Sequence, residues 1–461
     1  MMTITPRLDE IPYCSDSCAL FERIRHLSGA ILLDSSHLHG GTGRFDIMSA
    51  CPENTGLPQL PQPLDEAACR AWFSHLRDFH RRRYGEGQRA MDAVPFSGGL
   101  LGYIGYDCGN GLNRVAPQGG APERFTGDTP VQDAPCTLLQ AYDWAVVQDH
   151  VQRRAVLVSQ PCVLPAQRTD LLRRLRESAP VAATPRFRLN SEFRSNLTRQ
   201  QYRRAFEKIR AYLLAGDCYQ VNLAQRFSAA FEGDPWHAYR LLRGIAAAPF
   251  SAYLTLGQNE AVLSLSPERF IALQGRRVET APVKGTRPRY SDPLADTRAA
   301  AALRISAKDR AENLMIVDLL RNDLGRSCEP GSIRVDRLFD VHSYATVHHL
   351  VSTISGTLRD DRGAFELLRD SFPGGSITGA PKRRAMEIIA ELEPHPRQVY
   401  CGSVLYVSAD GRMDSNIAIR TLLCRGGNIH CWSGGGIVAD SRWQDELQET
   451  YDKVGRFLEA L

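Results

Sequence analysis

The 461-residue chain is short of net charge: 56 Lys and Arg against 52 Asp and Glu leave only +4. It has no long basic run and no stripe of basic residues interleaved with aromatics, so nothing in it reads as a nucleic-acid surface. His80-Arg-Arg-Arg83 reads as a solvated helix end. No apolar run is long enough to cross a bilayer. No apolar core follows a basic start at the N-terminus, so no export signal is read and a cytoplasmic location is expected. The 12 cysteines are scattered without a CxxC pair, which points to reduced thiols rather than a disulfide framework. Cys14 and Cys18 lie close in sequence but lack recognisable zinc-ligand companions. Asn196-Leu-Thr198 matches a glycosylation acceptor that a cytosolic chain would never use. What is present is the composition of a globular protein, 43% hydrophobic and 23% charged, long enough for one large domain or two ordinary ones.

Up to about residue 160 the pattern is mostly of strands. Ala30–Leu33 and Arg44–Ile47 flank a glycine-rich turn, Phe96–Asp107 mixes small and aromatic residues, and Ala141–Val158 reads as two strands around Asp149. A helix is expected over Leu64–Arg82, and one surface helix within Pro161–Pro185. Thr198 with Gln201 forms a capping box, Tyr202, Phe206, Ile209 and Leu213 follow at helical spacing, and Gly216 ends the helix. Strands are expected at Cys218–Phe227, Ala252–Leu256 and Ala261–Ser266, the last ending at Pro267-Glu268. Another strand then leads to Lys284, which places Glu268 and Lys284 on consecutive strands.

The centre of the pattern is Thr280-Ala-Pro-Val-Lys-Gly-Thr-Arg-Pro-Arg289. Pro282 and Pro288 stiffen the backbone around Lys284, and Gly285 allows φ > 0 or close approach of a ligand. In an apolar or cationic pocket such a lysine loses its proton and becomes a nucleophile; taken alone, the stretch fits a surface turn with a solvated lysine better. Ser306 caps a helix reaching about Leu324, with Asp309 and Glu312 on one face and Leu314, Val317, Leu320 and Leu324 as a buried stripe. The two acids are either surface charge or half of an Mg²⁺ site. Phe372–Pro381 is a glycine-rich loop running into a helix with Pro381 in its first turn; it lacks the Walker pattern, and its free N–H groups suit an anion. Tyr400–Tyr406 and Asn416–Thr421 read as strands joined at Asp410-Gly411, with Arg420 on the face of Asn416 and Ala418. A third strand leads to Ser433-Gly-Gly-Gly436, and a final helix from Trp443 carries Glu446, Glu449 and Lys453 on one face. A rigid lysine, carboxylates on two helices, an arginine and a glycine-rich anion site together suit a small substrate with two carboxylates.

Five segments, in this order, resemble signatures of the chorismate-utilising enzymes: Pro282–Arg289, Asp309–Asp323, His348–Ser352, Gly374–Lys382 and Gly434–Ser441. The resemblance extends over nearly the whole chain. It implies an α+β fold of two large antiparallel sheets packed as a sandwich with helices outside; the division into residues 1–190 and a chorismate-binding region 191–461 is one of convenience. It implies Mg²⁺ held by Glu312 and Glu449 with Asp309 and Glu446 as supporting acids. It further implies chorismate contacts from Gly285, Thr286, His349, Tyr400, Arg420, Gly434, Gly435 and Gly436, and Lys453 beside the metal. Lys284 matches the nucleophile and Glu268 the general acid/base. Where this chain has Lys284, members that make anthranilate have Ala, so its Lys-Gly-Thr form resembles members that aminate chorismate at C4 on the way to 4-aminobenzoate and folate. No Cys-nucleophile glutaminase region is visible, which implies ammonia delivered by a separate glutamine amidotransferase subunit. Ser35, Arg44, Phe45, Asp46, Pro249, Phe250 and Ser251 resemble the pocket where relatives hold tryptophan; the alternative is a plain core contact. Competing expectations are anthranilate or isochorismate synthesis on the same scaffold, and a tryptophan-binding regulator without catalysis.

Overall fold

The computed structural model describes residues 5–36, 43–62, 64–85, 91, 93–116, 134–177, 184–344 and 347–461. The glycine-rich turn expected before Arg44 falls on 37–42 and lies outside them. Among the described residues the strands pair antiparallel into one sheet of 13 strands and another of 9. Both halves of the chain feed both sheets. Ile31–Asp34 pairs with Phe250–Gly257 in the larger sheet, and Gly99–Ile104 with Ser403–Ser408 in the smaller. The largest apolar cluster takes Val147, Leu254 and Val262 from one sheet and Phe270, Ile354 and Leu405 from the other, so the sheets pack face to face. Helices cover the outside, where Phe21, Trp236, Tyr239 and Phe457 close over the far face of the larger sheet.

Local sequence explains the helices. At Arg199–Leu214 the Thr198–Gln201 capping box forms in both directions. Tyr202, Phe206, Ile209 and Leu213 are buried against Ile388 and Ile389, each contributing about 1.5–3 kcal/mol by removal from water. Ser306 caps Ala307–Gly325 by accepting from Asp309 N. The stripe of that helix differs from expectation: Leu314 is 47% exposed, while Asn313 and Ile316 join Val317, Leu320 and Leu324 in the interior. Leu314 lies one residue, about 100°, around the helix from Asn313, which faces inward. The helix Glu66–Tyr84 ends less solvated than its basic sequence suggests, because His80 is buried against Ser408 O at 3.0 Å and Arg83 pairs with Asp143.

Two crossings between the sheets position the site. Glu260–Ser266 lies in the larger sheet and Arg269–Gln274 in the smaller; Met413–Asn416 and Thr421–Arg425 cross back. The crossings run side by side, tied by Ile417 N to Glu268 O at 3.0 Å, Leu265 N to Arg420 O at 3.0 Å and Ser266 Oγ to Ile417 O at 2.6 Å. Asn416–Thr421 is therefore not one strand: the ladder stops at Asn416, and Arg420 sits in the crossing at φ 50°.

Candidate active site

A cavity of about 790 Å³ opens where these crossings meet the end of the glycine-rich strand Asn428–Ile437. It is lined by every catalytic, substrate and acid residue singled out in the sequence: Glu268, Lys284, Gly285, Thr286, Asp309, Glu312, His349, Tyr400, Arg420, Gly434, Gly435, Gly436, Glu446, Glu449 and Lys453.

Lys284 is not in a turn but in the strand Val283–Pro288. That strand pairs Val283 with Val351 and Thr286 with His349, so one extra residue is bulged out at Lys284–Gly285. Gly285 has φ 85°, and a Cβ there would lie 2.9 Å from Leu303 Cδ1 and 3.0 Å from Asp309 Cγ. The glycine thus lets the bulge press against the helix of the acids while Lys284 turns into the cavity. Lys284 Nζ donates to Ser376 O at 3.0 Å. Burial holds its pKa below the ordinary lysine value, against the opposing pull of Glu268 and Glu312.

Glu268 and Lys284 are not on consecutive strands. Glu268 lies in the crossing after Glu260–Ser266, and two further strands intervene before Lys284. They face the same space because the crossing and the bulge converge there. Glu268 is buried, and burial raises its pKa against the partial relief given by the Ser376 hydroxyl and Lys284. A buried carboxyl of this kind can hold a proton and release it to a leaving group.

Arg420 and His349 both face the cavity with hydrogen-bonding capacity left over. Burial lowers the pKa of the Arg420 guanidinium, and no acid among the described residues offsets that cost. A desolvated, unpaired guanidinium in a cavity calls for an anionic ligand. His349 holds Thr286 Oγ1 with Nδ1 at 2.9 Å, while its Nε2 is buried without a partner. Burial and the nearby Arg420 push its pKa down to about 3, so the ring is neutral and can meet substrate from Nε2. Tyr400 stacks parallel to Trp432 with centroids 6.2 Å apart, forming a flat wall.

The glycines belong to the strand itself, not to a loop beyond it. Ala224 pairs with Gly434, Leu223 with Gly435 and Asn222 with Gly436. The neighbouring strand Thr421–Arg425 pairs only as far as Cys431, so this stretch presents its other edge to the cavity. Lys453 Nζ already donates to Gly434 O there at 2.9 Å. At Gly435 a Cβ would lie 3.0 Å from Glu446 Oε2 and 3.6 Å from Glu449 Oε1, so the absence of a side chain gives those acids room.

The acids come from the two expected helices, Ala307–Gly325 and Trp443–Ala460. Burial raises the pKa of Glu312, and Asp309 and Glu449 add repulsion. Burial also raises Glu446, which accepts from Ser441 Oγ at 2.6 Å. Burial opposes ionisation of Glu449 too, but Lys453 at 2.6 Å outweighs it and holds the carboxylate charged. Asp309 instead points to Arg287 at 2.9 Å. Among the described residues no three Asp, Glu, His or Cys side chains are gathered closely enough to hold a metal unaided. Mg²⁺ does not need them to be: one or two carboxylates with water and substrate oxygens suffice, and mutually repelling Glu312 and Glu449 fit that demand.

Several cavity residues carried no sequence signal: Asn222, Lys308, Arg397 and Trp432. The loop containing Ser376 was expected to offer N–H groups to an anion, yet it meets Lys284 with a carbonyl. Pro381 caps the following helix Lys382–Leu392 rather than occupying its first turn.

The residues resembling a tryptophan pocket fall elsewhere. Ser35 Oγ donates to Asp46 Oδ1 at 2.6 Å, and Ser251 Oγ meets Ser36 Oγ at 3.0 Å. Arg44 pairs with Asp149 at 2.6 Å and lies over the Phe45 ring at 4.6 Å. Arg44 and Phe45 line a second cavity of about 340 Å³ with Arg269, Tyr406 and Met413. Arg269 in turn lies over Phe250, the neighbour of Pro249, at 5.2 Å.

Comparison with known proteins places the whole chain in a family. Residues 48–459 match the chorismate binding enzyme family. Aminodeoxychorismate synthase component 1 of Salmonella typhimurium is 44% identical over 100% of this chain and 99% of its own length. Anthranilate synthase component 1 of Streptomyces coelicolor is 39% identical over 93% of this chain and 83% of its own. The crystal structure of anthranilate synthase component I from Streptococcus pneumoniae superposes with a TM-score of 0.72 at 27% identity, covering 99% of this chain and 93% of that one.

Proposed function

The chain belongs to the chorismate-binding enzymes, and from that premise we propose that it aminates chorismate at C4 to give 4-amino-4-deoxychorismate, for 4-aminobenzoate and folate synthesis. The observation that carries this reading is Lys284, bulged into the cavity with a lowered pKa beside the buried acid Glu268. Arg420 and the glycine edge at Gly434–Gly436 bind one substrate carboxylate. His349 approaches the ring through Nε2, and Tyr400 with Thr286 and Gly285 closes the pocket around it. Glu312 and Glu449 would hold Mg²⁺, beside Glu446 and Lys453, and the ion would supply charge to neutralise the second carboxylate. Asp309, paired with Arg287, supports the Gly285 bulge.

Neutral Lys284 Nζ adds at C2. The diene shifts, and the C4 hydroxyl leaves as water with the proton from Glu268. Ammonia then adds at C4 and gives up a proton to the Glu268 carboxylate, the double bonds shift back, and Lys284 leaves C2 as the neutral amine. The pyruvyl ether is untouched, so a lyase acts next. Ammonia comes from a separate glutamine amidotransferase subunit; the relatives' names, which end in "component 1", support a second component of some kind. The catalytic residues all fall within 191–461, while Ser35, Arg44–Asp46 and Pro249–Ser251 are the place for any bound tryptophan.

Synthesis of anthranilate or isochorismate is the rival reading on this scaffold. Anthranilate synthesis leaves Lys284 without a purpose, since the resemblance places Ala there in anthranilate synthases. Product identification from chorismate, Mg²⁺ and ammonia decides between them. The 4-amino product, converted to 4-aminobenzoate when lyase is added, is expected; anthranilate or isochorismate would overturn the reading, and no turnover at all would favour a non-catalytic regulator.

A further inference from the structure

Two donors share one carbonyl beside the nucleophile. Ser376 O accepts from Lys284 Nζ at 3.0 Å and from Asn222 Nδ2 at 3.0 Å, so the two nitrogens are no more than about 6 Å apart. Among the described residues that carbonyl is the one hydrogen-bond partner of Lys284 Nζ. Asn222 is itself held at every polar atom. Its N–H donates to Thr378 O at 2.9 Å, its C=O accepts from Arg397 Nη2 at 3.1 Å, and its Oδ1 accepts from Gln220 Nε2 at 3.1 Å. The bond from Gln220 sets which way the amide is turned, with Nδ2 toward Ser376. Gln220 and Asn222 stand two apart on the strand Gln220–Glu232 and share a face. Gly436 pairs with Asn222, and a Cβ there would lie 2.5 Å from Gln220 Nε2 and 2.8 Å from Asn222 Oδ1. That glycine leaves room for the two amides. Ser376 belongs to the short turn Gly375–Ile377, which Arg397, 1% exposed, holds by donating to Ile377 O at 2.9 Å.

Resting on the nucleophilic role given above to Lys284, we propose that Asn222 is the positioning residue of that nucleophile: its amide fills one of the two acceptor positions of the Ser376 carbonyl and leaves Lys284 the other. A carbonyl oxygen offers two such positions, and a lysine head on a flexible stem would otherwise turn between them. Addition at C2 needs the nitrogen lone pair, not an N–H, to face the ring. One N–H given to a fixed carbonyl restricts where that lone pair can point. The donor must also be neutral. A carboxylate in its place would hold the lysine as an ammonium with no lone pair to give. Asn222 touches neither the bond that forms nor the bond that breaks. Its loss slows addition at C2 without weakening substrate binding.

The test uses the full chain with chorismate and Mg²⁺. Rapid quenching and mass spectrometry read the rate at which an adduct appears on the Lys284 peptide, and steady-state rates with added ammonia give kcat and KM. Asn222→Leu keeps the volume of the side chain and loses the donor. It is expected to slow adduct formation and kcat about 10- to 100-fold, with KM for chorismate within about threefold, the pattern of a misdirected nucleophile. Asn222→Asp keeps the shape, loses the donor and sets a carboxylate close to Nζ. It is expected to be slower still, and it decides alone should the leucine variant fail to fold. An adduct rate equal to wild type in Asn222→Leu, a change confined to KM, or an aspartate variant as fast as wild type would each overturn the proposal. Failure of the underlying reading is distinct: no adduct would then form on Lys284 in the wild-type chain, and the role of Asn222 would fall with it.

Discussion

At the scale of single residues, the site is built from groups whose ordinary state has been altered by burial. Glu449 is the acid that Lys453 keeps ionised, whereas burial disfavours the charge on Glu312 and Glu446. Glu449→Gln is therefore expected to cut chorismate turnover at least 100-fold at limiting Mg²⁺ while circular dichroism stays unchanged, the size expected for losing a charged ligand to a catalytic ion. Near-normal turnover would remove Glu449 from the metal site. Away from the cavity, His150 and Asp46 form a pair at 2.7 Å. Burial opposes ionisation of Asp46, but His150 with Ser17 and Ser35 holds its pKa below the ordinary value, and Asp46 raises that of His150. The histidine's contribution is complete below its unfolded pKa of about 6.5 and is lost as pH rises through its higher folded value. The aspartate's contribution is present above about pH 3.9 and is lost as pH falls through its lower folded value. The stability difference between wild type and His150→Gln, measured by urea unfolding, should accordingly be larger at pH 5.5 than at pH 9. An equal difference at both would mean that the pair is not charged in the folded protein.

At the scale of elements, the bulge and the crossings matter more than the strands that carry them. Gly285→Ala puts a Cβ against Leu303 and Asp309 at a positive φ. A cost of about 1–2 kcal/mol from the backbone alone is expected, with a loss of at least tenfold in kcat as Lys284 is displaced. Thermal unfolding and steady-state rates check the two effects, and an alanine variant of wild-type activity would show that the bulge does not set the lysine. This is also where sequence reading ran out. The capping box at Thr198 and the helix from Trp443 were legible because capping and 3.6-residue periodicity are local. The bulge at Lys284 and the break after Asn416 were not, because both are decided by pairing with strands distant in sequence: Val347–Thr357 for the bulge, and, on the two sides of the crossing, Arg269–Gln274 for Met413–Asn416 and Glu260–Ser266 for Thr421–Arg425. Arg420 was found by its company of motif residues, but its place in a crossing rather than on a sheet face is a tertiary fact. Ser376 was inside a recognised loop whose chemistry was read with the wrong sign, since composition tells which backbone is exposed and not whether its N–H or C=O faces the ligand.

At the scale of the whole molecule, the sandwich draws on both halves of the chain, so the cavity is one product of the entire fold rather than of a detachable part. The purified chain is expected to use ammonia and to ignore glutamine until an amidotransferase subunit is added; glutamine-dependent amination by the chain alone would contradict the proposed division of labour. Everything in the account converges on one bond, between Lys284 Nζ and C2 of the substrate. The most direct measurement is mass spectrometry of the enzyme quenched during turnover with chorismate and Mg²⁺, followed by peptide mapping. The account predicts a chorismate-derived adduct on the peptide containing Lys284, absent from Lys284→Ala, whose residual product carries nitrogen at C2. No adduct on Lys284, together with undiminished C4 amination by Lys284→Ala, would contradict it.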